Sequence, residues 1–216
     1  MDNYPAFKIA QRIVTHLEEY CDRIEIAGSL RRGRPQVGDV DLVVLPKSGQ
    51  EEALRARIKA KTRVISEGPQ ALVVAMNLPA GAKHSEPWLQ IDTWFAKRPD
   101  PDLFASTARP ASNFGTLLVC RTGSTAHNVR LCQQATKLLL HWNPHAGVMR
   151  GQDLIASAEE EDVFAALQLP WIPPAFREED LNWAMLPQLL AAASPVPGLD
   201  PQAAVRQFAA LKRSVQ

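Results

Sequence analysis

The chain has 216 residues, of which 46% are hydrophobic and 22% charged, a composition typical of a soluble globular protein with one or two small domains. Its formal net charge of +1 excludes a strongly basic protein, so any contact with a polyanion must come from local clusters of basic residues. The apolar runs are too short for a transmembrane helix, no secretory signal follows Met1, and the three cysteines match neither a disulfide framework nor a zinc motif. We therefore expect a cytoplasmic protein with no membrane partner.

The first half of the chain predicts a sheet flanked by helices. Apolar residues at helical spacing predict a helix over residues 6–20, and a short strand over 24–27 ends at Gly28-Ser29. A second helix is predicted over 51–61. Four further apolar runs predict strands, over 39–45, 64–65, 71–76 and 88–95.

The second half of the chain is mainly helical after a proline-rich stretch near residue 100. The pattern predicts short helices and one hairpin, over 112–120, 124–141, 147–156 (the hairpin), 159–167, 180–193 and 205–213. We therefore expect an α+β fold of two lobes that meet near residues 100–112. The first lobe would hold a mixed or antiparallel sheet with flanking helices, and the second would be a small α/β lobe.

Three aspartates carry the clearest chemical signal. Asp39 and Asp41 are two residues apart on a predicted strand, so both project from the same face. Asp92 lies in another predicted strand. Because neighbouring carboxylates repel one another, such a cluster is tolerated when hard cations neutralise it. Three convergent carboxylates suit two Mg²⁺ ions about 3.5–4 Å apart, the arrangement used for in-line phosphoryl transfer.

A candidate phosphate site precedes the aspartates. Gly28-Ser29 ends a strand and begins a tight turn, where a small residue lets backbone amides approach a phosphate. Arg32 follows in a basic turn and is suited to neutralise a leaving pyrophosphate. Such a catalyst needs metal ions, a phosphate clamp and a hydroxyl held in line, and little covalent chemistry from the protein.

The segment from Gly28 through Asp39-Val40-Asp41 resembles the signature of the DNA polymerase beta nucleotidyltransferase superfamily. Two later motifs narrow the resemblance to family X DNA polymerases. One is residues 113–118 leading into Thr122-Gly123, which is similar to the corner at the junction of palm and thumb. The other is residues 160–178, which resemble the end of the thumb. The resemblance spans residues 7–178, about four-fifths of the chain.

The resemblance implies roles for individual residues. Asp39, Asp41 and Asp92 would be catalytic and would bind two Mg²⁺ ions, for which Mn²⁺ is expected to substitute, and Asp92 would lie nearest the primer 3′-hydroxyl. The implied nucleotide-binding residues would hold the phosphates, the sugar and the minor-groove edge of the base, and they are Gly28, Ser29, Arg32, Gly38, Thr122, Gly123 and Asn128.

The resemblance also implies an organisation and a function. Residues 1–108 would form the palm, 109–178 the thumb and 179–216 a C-terminal helical extension. The chain would be a monomeric, DNA-directed DNA polymerase that binds a nucleoside triphosphate and a gapped or recessed primer–template, with short gap filling in DNA repair as its task. No counterpart of the family's N-terminal helix-hairpin-helix domains is expected in the sequence.

Departures from the family pattern keep a second function open. Cys120-Arg121 replaces the aromatic pair that usually discourages ribonucleotides. Gln90 stands where a basic residue is common, and Cys132 where the polymerases often have an arginine that contacts the template. The alternative is therefore a template-independent nucleotidyltransferase that acts on DNA ends, RNA or another hydroxyl. A non-enzymatic, DNA-binding remnant is a third hypothesis, against which the intact aspartate trio argues.

Overall fold

The structure, a computed structural model, describes residues 1–78, 87–98 and 112–178. The helices predicted over 180–193 and 205–213, and the whole predicted extension over 179–216, lie outside the described residues. Within the described ranges the structure contains no helix with both the length and the apolar character that crossing a bilayer demands.

The first lobe alternates helices with strands. Its elements are α1 (Asn3–Leu17), β1 (Cys21–Ile26), α2 (Gly28–Arg31), β2 (Asp39–Pro46), α3 (Glu51–Lys59), β3 (Arg63–Glu67), β4 (Ala71–Asn77) and β5 (Trp88–Phe95). The five predicted strands are all present, and both predicted helices are confirmed: α1 begins and ends three residues earlier than predicted, and α3 ends two residues earlier. The tight turn predicted at Gly28-Ser29 is instead the start of the one-turn helix α2.

The five strands form one mixed sheet in the order β1-β2-β5-β4-β3. The central strand β5 pairs in parallel with β2, and the other neighbouring strands pair antiparallel. The parallel register places Asp39 opposite Gln90 and Asp41 opposite Asp92. The mixed sheet with flanking helices confirms the predicted α+β fold.

Both faces of strand β2 are covered over most of its length. On one face, Val40, Leu42 and Val44 join a core with residues of α1 and α3. On the other face, Val43 and Leu45 pack against the apolar side of a helix from the second lobe. The two aspartates, at the beginning of the strand, lie on this second face just before the packing starts.

The second lobe is smaller and combines helices with a three-stranded sheet. Its elements are α4 (Phe114–Thr122), α5 (Thr125–Lys137), β6 (His141–Asn143), β7 (Gly147–Arg150), β8 (Asp153–Ala156) and α6 (Glu160–Ala166). The strands lie in the order β6-β7-β8. Ser124 caps α5 by accepting a hydrogen bond from the His127 amide, and the first turn of α6 carries three acidic residues at the positive end of its dipole.

One part of the prediction for the second lobe is wrong. The sequence pattern predicts a helix over 124–141, but α5 ends at Lys137 and His141 already belongs to strand β6. The chain turns at Leu139, whose φ of 57° is left-handed. The following Leu140 and Trp142 then point into the lobe's own core. The predicted hairpin is confirmed as β7 and β8, and β6 extends it to three strands.

Candidate active site

The sheet brings the three predicted aspartates together. Asp41 and Asp92 are register partners on the parallel strands β2 and β5, and Asp39 lies two residues earlier on the same face as Asp41. All three are half-buried, whereas the intervening Val40 is fully buried on the opposite face. The alternation along the two strands therefore positions a carboxylate cluster at one end of the parallel pair.

Gly28 lets this cluster form. Its φ of 62° is left-handed, and a Cβ added at this position would lie 2.0 Å from Oδ2 of Asp41. The neighbouring Ala27 amide donates a hydrogen bond of 2.8 Å to the Asp41 carbonyl oxygen. The chain before α2 is thus held against strand β2 so closely that only glycine leaves space for the Asp41 carboxylate.

The electrostatics of the cluster reflect burial and mutual repulsion. Burial is the main cause that raises the pKa of Asp41 to about 7, and the nearby Asp39 and Asp92 carboxylates raise it further. Burial also raises the pKa of Asp92, while a hydrogen bond from Gln90 opposes that shift. The cluster therefore holds negative charge against a free-energy penalty that a cation would relieve.

Two hydrogen bonds occupy oxygens of the cluster. The Trp94 Nε1 donates to Oδ1 of Asp41 at 3.2 Å, and the Gln90 Nε2 donates to Oδ1 of Asp92 at 2.9 Å. In the described ranges, no three side chains of His, Cys, Asp or Glu are arranged so as to enclose a metal ion. The donor set nevertheless fits hard divalent cations, because it consists of carboxylate oxygens that repel one another.

An open pocket of about 260 Å³ adjoins the cluster. Its lining is predominantly polar and consists of residues from the first lobe, from the C-terminal end of α4 and from the N-terminal end of α5. The lining residues are Gly28, Ser29, Arg32, Asp39, Asp41, Cys120, Arg121, Gly123, Ser124, Thr125 and Asn128. Of the residues that the sequence predicts for nucleotide binding, Gly28, Ser29, Arg32, Gly123 and Asn128 therefore meet in one pocket.

Two predicted nucleotide-binding residues lie elsewhere. Thr122 is fully buried, and its hydroxyl accepts a hydrogen bond of 2.9 Å from Arg31. Gly38 is exposed just before β2 and does not line the pocket. The side chain of Thr122 thus joins the two lobes, and the roles implied for Thr122 and Gly38 stay predictions.

Arg32 and Asn128 are engaged with the protein itself. The Arg32 Nε donates to Glu178 at 2.9 Å, and its Nη1 donates to the Thr122 carbonyl oxygen. The Asn128 Nδ2 donates to the Cys120 carbonyl oxygen at 2.8 Å. Each side chain is therefore held at the edge of the pocket by acceptors of the protein itself.

Arg121 lines the pocket and Trp94 adjoins the carboxylate cluster, and the contact between these two side chains is not predicted by the sequence. The last turn of α4 carries Arg121, whose guanidinium lies over the Trp94 ring with its carbon 3.3 Å from the ring centroid. Trp94 is two residues after Asp92 on β5, which places it on the same face as the carboxylates. The two-residue spacing from Asp92 is therefore a sequence signal that could have predicted the contact between Trp94 and the cluster. The position of Arg121, by contrast, depends on how α4 packs.

A buried ionic network connects the two lobes beside the pocket. Glu160, at the beginning of α6, accepts two hydrogen bonds of 2.8 Å from Arg31 and one of 2.9 Å from Arg177. Burial alone would raise the pKa of Glu160, but the hydrogen bonds and charges of the two arginines lower it to about 2. The network holds α6 of the second lobe against α2, the helix that contributes Gly28 and Ser29 to the pocket.

The comparison with protein families concerns the second lobe. Residues 117–178, under a third of the chain, match the family model described as DNA polymerase beta thumb. A comparison with curated proteins found no match. The matched segment begins inside α4 and includes the second-lobe residues that line the pocket, together with Glu160 and Arg177 of the ionic network. The match supports a DNA polymerase beta-like nucleotidyltransferase that binds DNA.

Proposed function

We propose that the chain is a DNA polymerase of the family X type, which adds nucleotides to a primer 3′-hydroxyl and fills short gaps in DNA. One observation carries the proposal: Asp39, Asp41 and Asp92 converge beside a polar pocket whose other wall belongs to the segment that matches the polymerase beta thumb. In this proposal, residues 1–108 act as the palm and 109–178 as the thumb of a monomer.

The carboxylates would bind and orient two Mg²⁺ ions. The ions, when bound, supply Lewis-acid polarisation of the phosphate and of the attacking hydroxyl. Asp39 and Asp41 offer oxygens from one strand, and Asp92 offers oxygens from the parallel strand beside it. Asp92, as the residue nearest the primer end, would also accept hydrogen bonding from the 3′-hydroxyl and hold it in line.

The pocket would hold the triphosphate and the sugar. Ser29, near the N-terminus of α2, offers its amide and hydroxyl to phosphate oxygens. Arg32 would exchange Glu178 for a phosphate, because both present oxygen acceptors to its planar guanidinium. Gly123 and Asn128 line the same pocket, and in this proposal Gly123 would adjoin the sugar and Asn128 the edge of the base.

Primer extension tests this proposal. The full chain is incubated with gapped and recessed DNA, the four deoxynucleoside triphosphates, and Mg²⁺ or Mn²⁺. We expect wild type to extend the primer and Asp92→Ala to lose that activity. Asp153→Ala is the matched control, because Asp153 is an exposed aspartate in β8 away from the pocket. A wild-type protein that extends none of these substrates would contradict the polymerase assignment.

A template-independent nucleotidyltransferase is the second candidate. The observation that favours it is the presence of Cys120 and Arg121 at the pocket wall, where no aromatic pair presses on the sugar. A matrix of four deoxynucleotides and four ribonucleotides against gapped, nicked, recessed and single-stranded DNA separates the two. Transfer to single strands without regard to template sequence favours the second candidate, and insertion of the complementary nucleotide alone favours the first.

A further inference from the structure

The guanidinium of Arg121 is the cation of the pocket that lacks a carboxylate partner within 4.0 Å in the described ranges. It stacks on Trp94 instead, and its buried Nε has no hydrogen-bond partner among the described residues. Arg177 and Arg31, by contrast, are paired with Glu160. Leaving a buried guanidinium nitrogen without an acceptor is unfavourable, so a compensating interaction must hold Arg121 in this position.

The compensation comes from three sources around the side chain. The Trp94 ring offers its negative π face to the guanidinium. The C-terminal end of α4, where Arg121 lies, carries the negative end of the helix dipole. The third source is the carboxylate cluster, because the same Trp94 ring donates its hydrogen bond to Asp41. Trp94 therefore contacts the cation on its face and the anion at its edge.

We propose that Arg121 is an internal counter-ion of the aspartate cluster: held on Trp94, its fixed charge stabilises the converged carboxylates without metal and weakens their affinity for divalent cations. This inference rests on the proposed function, in which the same carboxylates bind the metal ions. Arg121 acts through Asp41 and Asp92 and is a positioning residue.

The geometry supports this assignment. Arg121 lines the same pocket as Asp39 and Asp41, and the Trp94 ring beneath its guanidinium is hydrogen-bonded to Asp41. An arginine stays protonated at every accessible pH, so its charge persists when a metal ion approaches and repels that ion. The same charge reduces the repulsion among three carboxylates when no ion is present.

The test measures binding of Mn²⁺ alone to the metal-free full-length protein, by the electron paramagnetic resonance signal of free Mn²⁺. Arg121→Met removes the charge and keeps most of the side-chain volume. We expect its dissociation constant to be lower than that of wild type by about tenfold, equivalent to about 1.4 kcal/mol. Arg121→Lys retains the charge and should bind Mn²⁺ with nearly the wild-type affinity.

Arg63→Met is the matched control, because Arg63 also lies over a tryptophan, Trp88, at 5.9 Å, but on the exposed strand β3. It should leave Mn²⁺ affinity unchanged. A second readout is thermal unfolding. In a metal chelator, Arg121→Met should lower the unfolding midpoint by roughly 2–4 °C relative to wild type. In Mn²⁺ without chelator, the two midpoints should lie closer together. A merely structural role for Arg121 would lower the midpoint without tightening Mn²⁺ binding.

The outcomes separate this inference from the proposed function. If wild type binds Mn²⁺, Asp92→Ala does not, and Arg121→Met binds it no more tightly than wild type, the counter-ion role is overturned while the metal site stands. If Mn²⁺ binds neither wild type nor Arg121→Met, both fail. Tighter binding by Arg121→Met that Asp92→Ala abolishes in the double variant supports both.

Discussion

The aspartate cluster of the first lobe and the buried Glu160 of the second lobe are acidic sites with opposite electrostatics. The Asp39–Asp41–Asp92 cluster contains like charges, and the pKa of Asp41 is raised to about 7, mainly by burial. Glu160 is also buried, yet two arginines lower its pKa to about 2. Burial has the same sign of effect on both, so the difference comes from the neighbours: other acids in one case and paired guanidinium groups in the other.

The contrast separates a binding site from a structural connection. Glu160 has its acceptors filled by Arg31 and Arg177, and it holds α6 against α2. Among the described residues, no arginine or lysine forms an ion pair within 4.0 Å with the aspartate cluster, as Arg31 and Arg177 do with Glu160. A fold that maintains such unfavourable charge is expected to gain from a ligand that neutralises the cluster, which in the proposed function is a pair of divalent cations.

The largest expected effect comes from neutralising the cluster. Asp41→Asn removes a metal-binding charge at nearly constant volume, and we expect it to lower nucleotide incorporation by at least about 10³-fold. The free energy of unfolding of the metal-free protein should stay equal or rise by about 1 kcal/mol, because repulsion is relieved. Single-turnover kinetics and urea unfolding at pH 8 measure the two quantities. If Asp41→Asn lost stability as well as activity, the cluster would have a structural role like that of Glu160, and the comparison would fail.

Neutralising Glu160 should have the opposite result, with a large loss of stability and little loss of activity per folded molecule. Glu160→Gln leaves the buried Arg177 and Arg31 without a charged partner, and we expect the free energy of unfolding to fall by about 3–5 kcal/mol. Glu159→Gln is the control, because Glu159 pairs with Arg23 at the surface with half its side chain exposed, and its loss should cost about 0–1 kcal/mol. Equal effects of the two substitutions on urea unfolding would contradict the role assigned to Glu160.

Gly28 allows a sharper test of how closely the chain approaches the cluster. Residue 28 has a left-handed backbone conformation, and Gly28→Ala introduces a Cβ that collides with the Asp41 carboxylate. We therefore expect the free energy of unfolding to fall by about 2 kcal/mol and Mn²⁺ binding to be lost. Gly49→Ala is the matched control, because Gly49 has a φ of 74° and nothing within 4 Å. It should cost about 1 kcal/mol and leave Mn²⁺ binding intact.

The last prediction concerns the dependence of stability on pH. The pKa of Glu160 lies below its ordinary value, so its stabilising contribution is complete above about pH 4.5 and is lost as the pH falls towards 2, by at most about 1.4 kcal/mol per pH unit. The pKa of Asp41 lies above its ordinary value, so its contribution is complete below about pH 4 and is lost as the pH rises to about 7. Unfolding of the metal-free protein across pH 2.5–8 measures both slopes. Glu160→Gln should flatten the acid slope alone, and Asp41→Asn the slope above pH 4 alone.

The central part of the site follows from the sequence because it depends on local periodicity. The two-residue spacing of Asp39 and Asp41 on an apolar strand predicts a shared face, and the structure confirms that placement. The strands of the first lobe were predictable for the same reason. The parallel register that brings Asp92 beside Asp41 is a property of the sheet, and the sequence indicates only that Asp92 lies in a strand.

The features of the fold and the site that the sequence did not predict depend on contacts between distant parts of the chain. The hydrogen bonds between Arg31 and Glu160 join residues 129 positions apart, and no local pattern distinguishes this pair from ordinary surface charges. Arg121 reaches Trp94 only because α4 packs on strand β2. The short strand β6 was missed because its position depends on the left-handed turn at Leu139 and on burial of Trp142, which are both tertiary effects.

The most direct test of the account is Mg²⁺-dependent incorporation of one labelled nucleotide into gapped DNA, measured per folded molecule for wild type, Asp41→Asn and Glu160→Gln. The account predicts that wild type incorporates the nucleotide, that Asp41→Asn falls by at least about 10³-fold, and that Glu160→Gln stays within about tenfold of wild type. No incorporation by wild type, or an Asp41→Asn variant as active as wild type, would contradict the assignment of the aspartate cluster as the catalytic metal site.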